Sequence, residues 1–212
     1  MTEIEYFCSW SRVIDFDVLH KALNEIKKLN IRELCPTYKN IFKVFELCGY
    51  DNLKAVVLGQ SPYPQKGVAT GVAFANTNGT KDISPSLRVL LRASRGYEGG
   101  DLSLSDWCRQ GILPLNSSLT TMTGKTEGHG WIWRDFIASL LHGISVGNRG
   151  IPFILLGTAA QSFESHIYKE GNFILKDRHP AYYARTGEDM PTYVFDRTRQ
   201  LLKDYINFEI IW

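Results

Sequence analysis

The side chains best suited to chemistry in this sequence follow four apolar runs. Gln60, Ser61 and Tyr63 lie in Gly59-Gln60-Ser61-Pro62-Tyr63-Pro64, directly after Ala55-Val56-Val57-Leu58. Asn116 ends Ile112-Leu113-Pro114-Leu115, Gly157-Thr158 ends Pro152-Phe153-Ile154-Leu155-Leu156, and His179 follows residues 172–175. Amide, hydroxyl, phenol and imidazole groups together offer donors and acceptors of several kinds. Singly, each has a plain structural reading: Asn116 as a turn former, His179 as a satisfied surface histidine, Tyr63 as a core aromatic. Gathered in one place, they make a polar binding cluster. The loop after the first run is built to be rigid. Glycine allows close backbone approach, and two prolines fix φ and remove amide donors.

These groups meet only if the runs are strands of one sheet. Continuous apolar runs of this kind form strands buried on both faces. Between them lie helical patterns. In residues 15–29, Val18, Leu19, Ala22, Leu23 and Ile26 recur at three and four, with Asp15 or Asp17 to cap the start. Residues 38–48 read as a second amphipathic helix closed by Gly49, and residues 1–14 as a short docking helix. Further helices are expected over 86–95, 103–109, 131–144, 159–169 and 193–205, with the Ser84-Pro85-Ser86 start suited to phosphate. Strands alternating with helices predict an α/β fold: a three-layer sandwich with a central, mainly parallel, four-stranded sheet and helices on both faces. Right-handed crossovers then bring all four strand ends to one edge, where open α/β sheets hold their ligands. No repeat or low-complexity linker divides the chain, so residues 1–212 are expected to form a single domain.

Composition narrows the class further. With 44% hydrophobic and 22% charged residues the sequence has the balance of a soluble globular protein. A net charge of +2 is too mild to argue for nucleic acid unaided; a local basic patch must carry that. Cys8, Cys35, Cys48 and Cys108 show no CxxC pair and no histidine at finger spacing, so neither a metal nor another cofactor is expected. No signal peptide and no membrane-length apolar run is visible, which implies an intracellular protein, cytoplasmic or nuclear, with reduced thiols.

Five blocks resemble one known family. GQSPYPQKGVATGVAF at 59–74 resembles the GQDPYH water-activating loop and pocket of family 1 uracil-DNA glycosylases, with Gly67, Ala69, Gly71 and Phe74 matching without a gap. SPSL at 84–87 resembles that family's phosphate-contacting loop, and residues 101–120 the segment carrying its uracil-reading Asn. LLGTAAQ at 155–161 resembles its phosphate-pinching loop, and RHPAYYAR at 178–185 its DNA-intercalation loop. Order and spacing fit over residues 36–205.

The resemblance implies a monomeric enzyme that flips uracil out of single- or double-stranded DNA and hydrolyses its N-glycosidic bond, in base-excision repair. By the same resemblance, Phe74 stacks on the base, Asn116 reads its Watson–Crick edge, Tyr63 excludes a C5 methyl group, and Gln60 contacts the base through its backbone. His179 donates to O2 of the departing uracil anion. Pro85, Ser86, Gly157, Thr158 and the loop carrying Ala181, Tyr182, Tyr183 and Arg185 hold the DNA, with Tyr183 where the family has a Leu wedge. The chain departs from the pattern at Ser61, where the family has the Asp that positions the attacking water. A hydroxyl can bind water but supplies neither a general base nor a negative charge, so attenuated activity is expected. Pro64 and Thr70 replace two family histidines. The alternative reading is a non-catalytic protein on the same fold that binds uracil-DNA, or DNA generally, within a replication, transcription or defence complex.

Overall fold

The computed structural model describes residues 2–77, 83–126 and 128–212. Six strands occur among them: β1 (Leu34–Cys35), β2 (Ala55–Gly59), β3 (Ile112–Asn116), β4 (Thr121–Met122), β5 (Pro152–Leu156) and β6 (Phe173–Asp177). The helices are α1 (Glu3–Phe7), α2 (Phe16–Lys27), α3 (Lys43–Leu47), α4 (Pro85–Arg95), α5 (Ser105–Arg109), α6 (Gly130–Gly147), α7 (Thr158–Gln161), α8 (Pro180–Thr186) and α9 (Tyr193–Ile206).

The main sheet has the order β3-β2-β5-β6 and is parallel throughout. Every residue of β2, β3 and β5 is buried, which explains their unbroken apolar runs. Pro114 is tolerated because β3 is an edge strand. Its carbonyl accepts the N–H of Ala73 at 3.1 Å, so the 72–75 segment is tied to that edge. Helices flank the sheet and complete a three-layer α/β sandwich. Among these packings α2 meets α6, α4 meets α8 and α9, α9 meets β5 and β6, and α3 and α5 meet β3. Asp15 caps α2 by accepting from the Val18 N–H at 3.1 Å, and Pro85 opens α4 at its first turn.

Several expected elements are shorter or shifted. The helix expected over 38–48 is a 3₁₀ turn at Tyr38–Asn40 followed by α3, because the Gly71 backbone packs directly against the Asn40 carbonyl. The helix expected over 159–169 is the four-residue α7 and a 3₁₀ turn at Glu164–His166. The expected docking helix at the start is α1 and a 3₁₀ turn at Cys8–Arg12. The fourth strand runs two residues further, to Asp177; as an edge strand it leaves Lys176 exposed. The antiparallel pair β1–β4 has no counterpart in the sequence reading, since a two-residue strand carries no periodicity.

Strand register sets the site. Gly59 lies opposite Asn116, and Leu156 opposite Asp177. The four segments that carry polar groups therefore leave the sheet along one edge.

Candidate active site

The pocket at that edge is lined by Ser61, Tyr63, Phe74, Ser86, Asn116 and His179, with Ile41, Pro62 and Leu115 among its apolar walls. Gly59 is the reason two of these side chains can meet. A Cβ on Gly59 would lie 2.6 Å from Cζ of Phe74 and 3.0 Å from Oδ1 of Asn116. Only a residue without a side chain lets the ring and the amide close over the strand end. Phe74 itself has φ of 65°, a conformation uncommon for a bulky residue. It is held there by the Tyr63 hydroxyl, which donates to the Phe74 carbonyl at 2.7 Å. Burial raises the pKa of the Tyr63 phenol and keeps it protonated.

Asn116 is buried, and the residues after it fold back over the first loop. The Ser117 N–H donates to the Gly59 carbonyl at 3.1 Å, and the Ser118 N–H to the Gln60 carbonyl at 2.9 Å. Ser117 Oγ also donates to the Gln60 carbonyl at 3.0 Å. Gln60 is thus at the site through its backbone, while the residue is exposed.

His179 caps α8. Its Nδ1 accepts from the Ala181 N–H at 3.1 Å, so the proton of a neutral ring sits on Nε2. Burial drives its pKa down to about 4. Its ring centroid lies 5.6 Å from that of Phe74, with the planes 35° apart. Gly157, at φ of 87°, packs against it: a Cβ there would lie 2.8 Å from the His179 Cβ. The pocket therefore offers an aromatic face, an amide with both a donor and an acceptor, and an uncharged imidazole N–H.

Ser61 is half-buried, and its hydroxyl donates to the Thr126 carbonyl at 3.3 Å. Its lone pairs remain available as acceptors. Pro85, Ser86, Ala181 and Arg185 line a second groove that also touches Tyr63 and so runs beside the pocket. Thr158 is exposed at the start of α7, one residue past the Gly157 turn. Lys66, Lys125, Arg178 and Arg185 lie on the segments around these openings. None of them forms an ion pair among the described residues. Arg178 instead lies over the Tyr182 ring at 4.3 Å.

The structure turns one of the residues expected to hold DNA inward. Tyr183, read as a projecting wedge, is only 6% exposed, and its hydroxyl donates to Asp177 Oδ1 at 2.6 Å. It belongs to the buried face of α8, with Pro180. Two contributors escaped the sequence reading. Thr126 acts through its carbonyl, which no side-chain motif reveals. Asp177 lies two residues beyond the expected end of the fourth strand, where no motif singles it out. Among the described residues, no group of three or more His, Cys, Asp or Glu side chains could hold a metal ion, and no helix is long and apolar enough to cross a membrane.

No protein-family model matches the chain. It is 32% identical over 216 residues to a uracil-DNA glycosylase of Campylobacter jejuni, covering 96% of this chain and 92% of that one. It is 30% identical over 227 residues to a uracil-DNA glycosylase of Porphyromonas gingivalis, covering both chains in full. The crystal structure of mimivirus uracil-DNA glycosylase matches with a TM-score of 0.76 over 100% of this chain and 93% of that one, at 17% identity, a likeness of fold. Identity to those two bacterial proteins at this level and coverage means that the chain belongs to the uracil-DNA glycosylase family.

Proposed function

We propose that this protein removes uracil from DNA by hydrolysing its N-glycosidic bond, and that it is of the GQDPYH-loop type with Ser61 where that type has Asp. The chain acts as a single domain and a monomer, on uracil-containing DNA, single- or double-stranded. The observation that carries the reading is the convergence of Phe74, Asn116 and a neutral, half-buried His179 on one pocket.

A flipped uracil stacks on Phe74. Its N3–H and O4 meet the acceptor and donor of the Asn116 amide; cytosine presents the opposite pair. The Tyr63 ring, with its hydroxyl engaged by Phe74, stands where a C5 methyl group would fall. Gln60 adds a backbone contact. As the C1′–N1 bond breaks, its electron pair leaves with the base and charge builds on O2. The Nε2–H of His179 donates to that oxygen, an interaction of about 3–4 kcal/mol for one well-placed donor. The sugar becomes oxocarbenium-like. A water bound to the Ser61 Oγ adds to C1′ and gives up its proton to solvent once the new bond has formed. Ser61 holds that water without deprotonating it, and no carboxylate offsets the cationic sugar. Activity is therefore lower than in an Asp enzyme, by roughly 10²–10⁴-fold for the missing base. Pro85, Ser86, Gly157, Thr158, Ala181, Tyr182 and Arg185 hold the flanking backbone.

The test is single-turnover excision from a uracil-containing oligonucleotide, with Ser61→Asp beside the wild type. Cutting by the wild type and faster cutting by the variant is the expected result. Cutting by the variant alone would identify a uracil reader disarmed at Ser61. Cutting by neither, with no preference for uracil, would overturn the reading.

A further inference from the structure

We propose that Tyr183 is a positioning residue for His179, a strut beneath α8, and does not enter the DNA stack. The inference rests on the glycosylase reading of the pocket.

Asp177 is where three site-bearing segments join. Its carbonyl accepts the Gly157 N–H at 2.9 Å and Nε2 of Gln161 at 2.8 Å. Its carboxylate Oδ1 accepts the Arg178 N–H at 2.6 Å and the Tyr183 hydroxyl at 2.6 Å. Gly157 in turn packs against the Cβ of His179. Tyr183, Asp177, Gly157 and His179 therefore form a closed circuit of contacts, and the Tyr183 hydroxyl is the link that ties the far side of α8 to the strand end. Burial, with Asp177 beside it, pushes the Tyr183 phenol up to about 12, so it remains a donor at any working pH.

A wedge needs a large apolar side chain facing outward. Tyr183 can supply one only by giving up a bond to a carboxylate and by exposing a ring that packs edge-on against Tyr182 at 5.3 Å. The exposed positions of the same helix are Ala181, Ala184, Arg185 and Thr186, three small side chains and a cation. On this arrangement the hydroxyl matters and a bulky outward ring does not.

Tyr183→Phe separates the two roles, since it keeps the ring and removes the donated bond. As a strut, the variant should lose about 10- to 100-fold in kcat through misplacement of His179, with KM within about twofold. The loss should be the same on single-stranded and duplex substrates, and the ¹⁵N resonances of the His179 imidazole should shift. Asp177→Asn, which keeps an acceptor oxygen, should lose less than Asp177→Ala. A loss confined to duplex DNA would make Tyr183 a wedge and overturn the proposal, as would an unchanged kcat on both substrates. If the wild type excises uracil from neither DNA, the glycosylase reading fails by itself. The strut is then judged on the His179 resonances alone: a shift in Tyr183→Phe keeps it and no shift sinks it.

Discussion

The Ala181 N–H points at Nδ1 of His179 from 3.1 Å, inside the first turn of the helix that His179 caps. Protonating Nδ1 would set two N–H groups against each other, in a pocket that already disfavours charge. Both effects favour a neutral ring with its proton on Nε2, and burial places the pKa at about 4.

A pH dependence follows from that shift. Histidine in the unfolded chain titrates near 6.5. Between about 4 and that value the unfolded chain binds more protons than the folded one, so stability rises with pH across this window. The contribution is present above the unfolded pKa and is lost as pH falls through the folded one. The neutral donor persists over the same range, so kcat should be flat from about pH 5 to 8. NMR titration of the His179 imidazole checks both statements. A midpoint near 6.5 would mean that the ring is open to solvent.

Gly59→Ala tests the close approach at the strand end. The added methyl would lie 2.6 Å from Phe74 and 3.0 Å from Asn116, so the ring and the amide must both move. Overpacking of this kind costs about 1–3 kcal/mol of stability. The expected outcome is a lower thermal midpoint and uracil affinity weakened by tenfold or more, measured by inhibition with the free base. A variant that binds free uracil as well as the wild type would show that Phe74 and Asn116 do not act as a pair.

Much of this arrangement is legible in the sequence because buried parallel strands read as continuous apolar runs, and the polar groups follow those runs immediately. Residues 55–58, 112–115 and 152–156 could be placed for that reason, and with them Ser61, Asn116 and Thr158. What the sequence hides is contact at long range and direction on short elements. Ser61 and Thr126 are 65 residues apart, and their link is a backbone carbonyl. Tyr183 lies on a seven-residue helix too short for periodicity to reveal its buried face. The same limit explains α3 and α7, whose apolar spacing predicts longer helices than the surrounding packing allows.

Asn116→Asp should relax the choice of base. The amide offers one donor and one acceptor, the pattern complementary to uracil. A carboxyl group that picks up a proton in the pocket can present its O–H to N3 of cytosine and its second oxygen to the exocyclic amine. Excision from cytosine-containing oligonucleotides should become detectable while uracil excision falls, by roughly 10–100-fold for one mispaired polar contact of about 1–3 kcal/mol. Unchanged discrimination between the two bases would remove Asn116 from its reading role.

Lys66, Lys125, Arg178 and Arg185 stand around the openings without carboxylate partners among the described residues, whereas Arg88 and Arg92 further along α4 are paired with Glu98. Cations left unpaired at a site edge are available to phosphates. If all four engage a single strand, log Kd should rise with log salt at a slope of about 3, near 0.7 for each neutralised phosphate. Arg185→Ala should lower that slope by about 0.7 and weaken binding equally for uracil-containing and plain strands, since a phosphate contact carries no base information. Fluorescence anisotropy at several salt concentrations measures both. A flat response in the wild type would argue against DNA as the ligand. A loss in Arg185→Ala specific to uracil would instead place Arg185 against the base, and the groove beside the pocket would have to be reassigned from backbone to base contact.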